Sequence, residues 1–312
     1  MTREYHKPVL LAEVLQQLTC RRGSAIVDCT LGGAGHAEAI LNLISPEGVL
    51  IGIDEDKAAI EAAKGRLARF SQQTFIYKSN FAKLDDVLKQ VDVGQVDGFL
   101  FDLGVSSAQL DQVDRGFSYN KDSPLDMRMD RSTQLTAADI VNNYDKKELT
   151  KILHQYGEEK WAGRIGDFIV DRRRRQRIET SRELVEIIKA AIPASARRHG
   201  GNPAKRTFQA LRIEVNQELN NLKIALESAF KWLKPGGRLV VISYHSLEDR
   251  IVKKWLRQKA TACVCPPEIP ICVCGRQSEL KILTPKLVRP TSKEIADNPR
   301  AKSAKMRVGG KL

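Results

Sequence analysis

The chain has 312 residues, of which 42% are hydrophobic, and it carries a formal net charge of +13 at pH 7. This length and composition indicate a globular protein of about two domains. No apolar run reaches the roughly 20 residues of a membrane helix, and no signal-peptide core follows Met1. We therefore expect a cytoplasmic protein without a membrane partner, and the charge predicts a polyanionic partner, with nucleic acid as the first candidate.

The first two predicted strands are joined by a glycine-rich turn and a helix. Residues 24–28 are short, apolar and β-branched, as in a buried parallel strand. The segment 28–36, Asp-Cys-Thr-Leu-Gly-Gly-Ala-Gly-His, contains three glycines that allow a sharp turn and a close approach of a ligand to the backbone. Asp54 ends the second strand, where a carboxylate can accept hydrogen bonds from both hydroxyls of a ribose. The pattern predicts a cofactor that contains adenosine.

The alternation of strands and helices continues and is then interrupted. Further elements are predicted at 57–70 (helix), 74–78 (strand), 84–90 (helix), 96–102 (strand), 217–233 (helix) and 238–243 (strand). The residues between 109 and 216 are polar, charged and mostly helical in period. We predict an α/β fold, a doubly wound sheet with an inserted helical domain, with domains at 1–108, 109–216 and 217–312. The tail from residue 291 onward is expected to be loosely ordered.

The glycine turn fits either a dinucleotide or S-adenosylmethionine, because both lie across the carboxyl ends of the first two strands. The late helix closes on Leu-Lys-Pro-Gly-Gly, residues 233–237, before an apolar strand. This resembles the approach to the fifth strand in many class I (Rossmann-like) methyltransferases. Pro-Gly-Gly is also a good helix terminator, so the feature favours S-adenosylmethionine without deciding the question.

Asp102 ends the fourth predicted strand, at the edge where methyl transfer occurs in such folds. An exocyclic base amine has its lone pair delocalised into the ring, so an acceptor must hold the N–H and take up the proton as the nitrogen attacks. We predict Asp102 as this catalytic acceptor, and the alternative is that it only positions the cofactor. A stacking partner for the base must then come from elsewhere, with Phe117, Tyr119 and Tyr244 as candidates.

Seven segments, spread over nearly the whole chain, resemble a single family. They are 28–36, 102–110 (Asp-Leu-Gly-Val-Ser-Ser-Ala-Gln-Leu), 115–119 (Arg-Gly-Phe-Ser-Tyr), 124–130 (Pro-Leu-Asp-Met-Arg-Met-Asp), 206–213 (Arg-Thr-Phe-Gln-Ala-Leu-Arg-Ile), 243–250 (Ser-Tyr-His-Ser-Leu-Glu-Asp-Arg) and 298–303 (Asn-Pro-Arg-Ala-Lys-Ser). In these segments the chain resembles the bacterial small-subunit ribosomal RNA (cytosine-N4) methyltransferases, the S-adenosylmethionine-dependent MraW family.

The resemblance implies both a cofactor and a substrate. The cofactor is S-adenosyl-L-methionine, in a pocket made by Ala34, Gly35, His36, Asp54, Phe81, Asp102 and Gln109. On sequence alone, a helix cap is an equal alternative for His36. The substrate implied is the N4 amine of a cytosine in the decoding region of 16S ribosomal RNA. The partner is then the RNA or the 30S particle and not DNA, and a homodimer remains one alternative for the oligomeric state.

Basic residues are concentrated in the predicted insertion. Residues 171–212 contain 12 Lys and Arg against 4 Asp and Glu, and residues 281–312 contain 9 against 2. In the insertion we predict phosphate contacts, which give affinity rather than base choice, from Arg172, Arg173, Arg174, Arg175, Arg177, Arg197, Arg198, Lys205 and Arg206. A solvated helix face is the alternative for the arginine run.

Four of the six cysteines form a Cys-x-Cys pair, six residues and a second Cys-x-Cys pair: Cys263, Cys265, Cys272 and Cys274. Four thiols so close together can bind zinc, although one-residue spacing is less usual than two. A reduced loop without metal is the alternative, and the sequence assigns no residue to a metal.

Two other functions remain open on the sequence. One is an NAD-type oxidoreductase, which the glycine turn and Asp54 permit. The other is a non-catalytic RNA-binding or assembly factor built on a cofactor fold that has lost its activity. Thermal protection by S-adenosylmethionine or by NAD separates the first of these from a methyltransferase.

Overall fold

A computed structural model describes residues 8–197, 201–266 and 273–312. The chain divides into two compact units. The sheet unit comprises Met1–Gly104 and Leu219–Leu312, and the helical unit comprises Val105–Glu218.

Within the residues that the structure describes, the sheet unit contains seven strands in one sheet. They are β1 (Ala25–Asp28), β2 (Val49–Asp54), β3 (Thr74–Lys78), β4 (Val96–Asp102), β5 (Leu233–Ser243), β6 (Leu280–Ile282) and β7 (Lys305–Lys311). Their order is β3-β2-β1-β4-β5-β7-β6. The pairs from β3 through β5 are parallel, whereas β7 runs antiparallel to both of its neighbours.

Helices cover both faces of this sheet. They are α1 (Leu11–Leu18), α2 (Gly35–Ile44), α3 (Lys57–Arg66), α4 (Leu84–Val91), α12 (Glu218–Trp232), α13 (Ser246–Ala260) and α14 (Ser292–Asp297). The first three pack with residues such as Ile26 and Leu100 on one face, and α4, α12 and α13 pack with Val27 and Phe99 on the other. Because neighbouring residues of a strand enter different cores, the central strands are apolar on both faces in their middle residues.

This architecture confirms the predicted doubly wound α/β sheet, interrupted in sequence by helices. The chain orders βαβ units from β1 to β4, then the helical unit, then β5. In such sheets the ligand binds at the carboxyl ends of the strands near the point where the strand order reverses, here between β1 and β4.

The helical unit has a hydrophobic core of its own. Its helices are α5 (Ser107–Asp111), α6 (Ala137–Asn143), α7 (Lys146–Gly157), α8 (Ala162–Arg173), α9 (Ser181–Ala191), α10 (Ala194–Arg197) and α11 (Ala204–Asn216). Residues such as Ile140, Leu153, Ile165 and Leu211 are fully buried together. Capping boxes start α6, α7 and α9, so the side chains that precede these helices bind their first backbone N–H groups.

Three predicted elements differ from the observed ones. The helix expected at 57–70 ends at Arg66 and is followed by a 3-10 helix, Ala68–Gln73. β5 begins at Leu233 rather than 238, and it contains the Pro-Gly-Gly segment as an irregularity of the pairing with β4, with Gly236 at φ 78°. The prediction of a loosely ordered tail was wrong: β7 lies between β5 and β6, with Met306 and Val308 fully buried.

Within the described ranges, no helix combines the length and the apolar character that crossing a bilayer requires.

Candidate active site

Three neighbouring strands of the sheet end in an aspartate. Asp28, Asp54 and Asp102 are the last residues of β1, β2 and β4. Because the strands are parallel and adjacent in the order β2-β1-β4, the three carboxyl groups lie along one edge of the sheet. Burial raises the pKa of all three, to about 6 for Asp28 and Asp54 and to about 7 for Asp102.

The loop after β1 is tied to both neighbouring strands. Thr30 Oγ1 accepts a hydrogen bond of 2.6 Å from the backbone N–H of Asp102, and Gly32 N–H donates one of 2.8 Å to Asp54 Oδ2. The second oxygen of Asp54, Oδ1, accepts from Asp56 N–H at 2.8 Å. Asp54 therefore holds the glycine turn in place, and a ribose would share its carboxylate oxygens with these backbone donors.

Ala34 is the N-cap of α2, and its backbone is left-handed. Its φ of 58° and ψ of 28° form a conformation that L-residues other than glycine rarely adopt, and Gly32 before it has φ 50°. The next residue, Gly35, packs tightly on Pro8, because a Cβ there would lie 3.2 Å from Cδ of that proline. The turn thus exposes backbone rather than side chains, as a cofactor cradle requires.

His36 is buried in the first turn of α2 and does not cap it. Its Nε2 lies 2.9 Å from the carbonyl oxygen of Val9, so this nitrogen carries the proton, and its Nδ1 lies 3.7 Å from Asp102 Oδ2. Burial lowers the pKa of His36, so the ring is neutral at pH 7. The helix-cap alternative is excluded because Ala34, and not His36, is the N-cap of α2. The unprotonated Nδ1 of His36 faces the acceptor predicted at Asp102.

Asp102 is held by Tyr244, which follows β5. The Tyr244 hydroxyl donates a hydrogen bond of 2.8 Å to Asp102 Oδ1. This bond lowers the pKa of Asp102, against the larger effect of burial. The Asp102 side chain keeps 22% of its surface exposed, against 7% for His36, so the carboxyl remains open to a ligand.

Phe81 follows β3 at the same edge of the sheet and is half-buried. Its ring packs edge-to-face on Phe101 of β4, with centroids 5.9 Å apart. Asn80 fixes the backbone at this point, since its side chain accepts from Ala82 N–H at 2.8 Å. The ring is therefore anchored at one edge, and an anchored ring can cover an adenine face.

Gln109 belongs to the helical unit, where it is buried. It completes the capping box of α5: its side chain accepts from Ser106 N–H at 2.9 Å, and its own N–H donates to Ser106 Oγ. The structure therefore shows a local role for Gln109, and the cofactor contact stays a prediction.

None of the three aromatic candidates for base stacking presents a fully free ring. Phe117 is buried in the core of the helical unit, and Tyr119 packs edge-to-face on Phe208 at 5.7 Å. Tyr244 is bound to Asp102 through its hydroxyl. Of these residues, Tyr244 is the one whose role sequence reasoning missed, because the contact joins residues 142 positions apart.

Six of the residues predicted to contact phosphates fall into two groups at opposite ends of α7. Arg173 donates hydrogen bonds to the carbonyls of Val141 and Tyr144, just before α7 begins, while Arg206 donates to the carbonyl of Glu158, just after it ends. A helix of 12 residues separates these ends by about 18 Å. The basic residues therefore form two separate sites and not one: the run Arg172 to Arg175, and the pair Lys205 and Arg206.

The four arginines of the run Arg172 to Arg175 differ in how exposed their guanidinium groups are and in the partners that these groups already contact. Arg174 and Arg175 are exposed, and Arg174 pairs loosely with Asp171 at 3.3 Å. Arg172 contacts Gln176, and Arg173 is half-buried on the two carbonyls described above. The Arg173 guanidinium is bound to backbone carbonyls of the helical unit, so it is not available to an RNA phosphate. Arg198 lies outside the described residues, as does Cys272.

A left-handed backbone turn, three strand-end acids with raised pKa values and an anchored aromatic ring lie at the carboxyl edge of one doubly wound sheet. Burial is the main cause of the three raised pKa values, and the charges of Asp54 and Asp102 raise that of Asp28 further, so a cationic ligand such as a sulfonium would be stabilised at this edge. The residues present therefore fit S-adenosylmethionine, and together they define a Rossmann-like enzyme with an adenosine cofactor.

Comparison with known proteins identifies the family. The MraW methylase family matches residues 3–312. The chain is 53% identical over 307 residues to "Ribosomal RNA small subunit methyltransferase H" of Halothermothrix orenii, covering 98% of each chain. It is 52% identical over 308 residues to the protein of the same name from Symbiobacterium thermophilum, covering 99% of this chain and 97% of that one. The chain belongs to the MraW methylase family.

Membership confirms the predicted family, the methyltransferase class and the cofactor S-adenosylmethionine. Membership of this family excludes the NAD-type oxidoreductase, a function that the glycine turn and Asp54 left open in the sequence analysis.

Proposed function

We propose that this protein methylates the N4 amine of a cytosine in the decoding region of 16S ribosomal RNA. The relatives named above carry "Ribosomal RNA small subunit methyltransferase" in their names and align over nearly the full length of the chain. The choice of an exocyclic amine is supported by Asp102, an accessible carboxyl at the sheet edge whose pKa of about 7 suits a proton acceptor at neutral pH.

When bound, the cofactor would supply a methyl group on a cationic sulfur, and this sulfur would leave as a neutral thioether when the amine nitrogen bonds to the methyl carbon. The chain supplies positioning and a proton acceptor. Tyr244 occupies Asp102 Oδ1, so Oδ2 is the oxygen that receives the N4–H and then the proton. His36 Nδ1 lies 3.7 Å from Oδ2 and, being unprotonated, can accept a hydrogen bond from the carboxyl once it is protonated.

The helical unit is the proposed RNA-holding part. Arg174 and Arg175 at one end of α7, and Lys205 and Arg206 at the other, are exposed cations suited to phosphates. Base choice would come from the folded RNA and the pocket, since basic side chains read no sequence. A cytoplasmic location, the 30S particle as partner and a homodimer as the assembly remain predictions.

The test uses small ribosomal subunits that lack the modification. They are incubated with the protein and methyl-labelled cofactor, and the labelled nucleotide is mapped by nuclease digestion and mass spectrometry. Label on a cytosine N4 of the decoding region is expected, and label on another base or atom would contradict the assignment. Asp102→Ala should abolish labelling, whereas an assembly factor without catalysis would give none even in the wild type.

A further inference from the structure

The described residues between α13 and β6, 261–266 and 273–279, form a loop whose two ends lie close together. α13 ends at Ala260 and β6 begins at Leu280. The backbone N–H of Glu279 donates a hydrogen bond of 3.0 Å to the carbonyl of Lys259, so the two ends of the loop are neighbours. The guanidinium of Arg276 also donates to the carbonyl of Gln258. The described residues of the loop therefore leave the sheet unit and return to it at one point.

Three cysteine sulfurs of this loop converge. The Sγ atoms of Cys263, Cys265 and Cys274 all lie within 4.8 Å of one another, and those of Cys263 and Cys274 are 3.9 Å apart. That separation is nearly twice the S–S bond of about 2.05 Å. It matches two sulfurs on one tetrahedral zinc ion, which at Zn–S distances of about 2.3 Å lie roughly 3.8 Å apart.

Apolar burial does not account for this convergence. Val264 and Val273, each next to a converging cysteine, are 58% and 75% exposed. The cysteines themselves are exposed or half-buried. A loop that orders its chain without a hydrophobic core needs another source of free energy, and a metal is the usual one in small segments of this kind.

We propose that Cys263, Cys265 and Cys274 supply three of the four ligands of a structural zinc ion that fastens the loop. Thiolates favour zinc among the common structural metals, and binding requires each thiol to release its proton. This site is independent of the proposed methyl transfer, so either proposal can fail without the other.

The experiment measures metal on the full chain purified under reducing conditions with zinc in the medium. We expect about one zinc ion per chain, as in other structural sites. Replacing the zinc by Co²⁺ should give the intense thiolate-to-cobalt absorption and the visible bands of a tetrahedral site. Both signals should fall strongly in Cys263→Ser and Cys274→Ser.

Cys20→Ser is the matched control, because it removes a thiol from outside the loop. Burial raises the pKa of Cys20 to about 11, so this thiol is a poor metal ligand, and its replacement should leave zinc content and cobalt spectrum unchanged. A wild-type protein without zinc and without the cobalt bands would overturn the proposal. So would full zinc content in both loop variants. If a loop variant fails to fold, the cobalt spectrum of the wild type still decides.

Discussion

The Tyr244 hydroxyl donates a 2.8 Å hydrogen bond to Oδ1 of Asp102, and so joins the residue after β5 to the end of β4. The pKa of Tyr244 is raised well above its usual 10, chiefly by burial and then by the Asp102 charge, so the hydroxyl keeps its proton throughout the working pH range. Tyr244 is therefore a permanent donor that favours the ionised form of Asp102. It is a positioning residue for the proposed acceptor.

Tyr244→Phe should shift the pH dependence of methyl transfer to higher pH. Activity needs ionised Asp102, so kcat/KM should rise with pH through about 7, the pKa of this carboxyl, and then level off. Losing one hydrogen bond to a charged group should raise that pKa by roughly one to two units. The measurement is the pH profile of kcat/KM for the RNA.

Tyr156→Phe, which removes a tyrosine hydroxyl from the helical unit, is the control and should leave the profile in place. A Tyr244→Phe enzyme that loses activity equally at every pH would show that Tyr244 supports the fold or the cofactor, and not the ionisation of Asp102.

Asp102→Asn should stabilise the ligand-free protein clearly more at pH 8 than at pH 5. The folded pKa of Asp102 is about 7 against an ordinary 3.8, so the folded protein binds more protons than the unfolded chain between these values. Its contribution to stability is therefore lost as the pH rises through this window. We expect a gain of roughly 2 kcal/mol at pH 8, since the carboxyl is partly exposed.

Denaturant unfolding at the two pH values measures this difference. Asp86→Asn, at an exposed carboxylate on α4, is the control and should give no gain that appears only at pH 8. Equal effects of Asp102→Asn at both pH values would mean that burial does not raise the pKa of Asp102.

The free energy of unfolding should respond very differently to Ala34→Gly and to Ala37→Gly, although both alanines are buried at the start of α2. At Ala34 the left-handed backbone costs an alanine about 1 kcal/mol, which offsets the lost burial of one methyl group. Ala37 lies inside α2, so its glycine variant loses both helix propensity and burial, about 2 kcal/mol. Thermal unfolding should show a nearly neutral Ala34→Gly and a clearly destabilised Ala37→Gly. Equal losses would contradict the strained turn.

Removing Arg174 and Arg175 together should weaken RNA binding and make it less dependent on salt. Each lost phosphate contact should reduce the slope of log K against log salt by roughly 0.7 to 0.9. Their exposed positions predict a stability change within about 0.5 kcal/mol. Titration of RNA binding at several salt concentrations measures the slope.

Two matched variants separate RNA contact from structure. Arg22→Ala removes an exposed arginine of the sheet unit that pairs with Glu47, and it should leave the slope unchanged. Arg173→Ala should instead destabilise the fold by about 1 kcal/mol, because it leaves the carbonyls of Val141 and Tyr144 without this donor. A double variant Arg174→Ala, Arg175→Ala with the wild-type slope would remove these residues from the RNA surface.

The sequence predicts those parts of the molecule that depend on the local pattern of apolar and polar residues. The bounds of β4 and the acid at the end of β2 follow from apolar runs that are buried on both faces, and the bounds of β3 follow from a short β-branched and aromatic run at the edge of the sheet. The left-handed Ala34 was missed because alanine gives no signal for positive φ. The ordered β7 was missed because its charged flanks hide two buried residues, Met306 and Val308. The Tyr244 contact depends on tertiary packing, which no local pattern encodes.

The interruption of the sheet by the helical unit also sets an order of assembly. β4, with Phe99, Leu100 and Phe101 fully buried in the finished sheet, pairs with β1 on one side and needs β5 on the other. β5 is synthesised only after the whole helical unit. Until then, the side of β4 that pairs with β5 has no partner strand, and β4 is an apolar edge strand. A nascent chain stalled within the helical unit should therefore be prone to aggregation and should depend on chaperones.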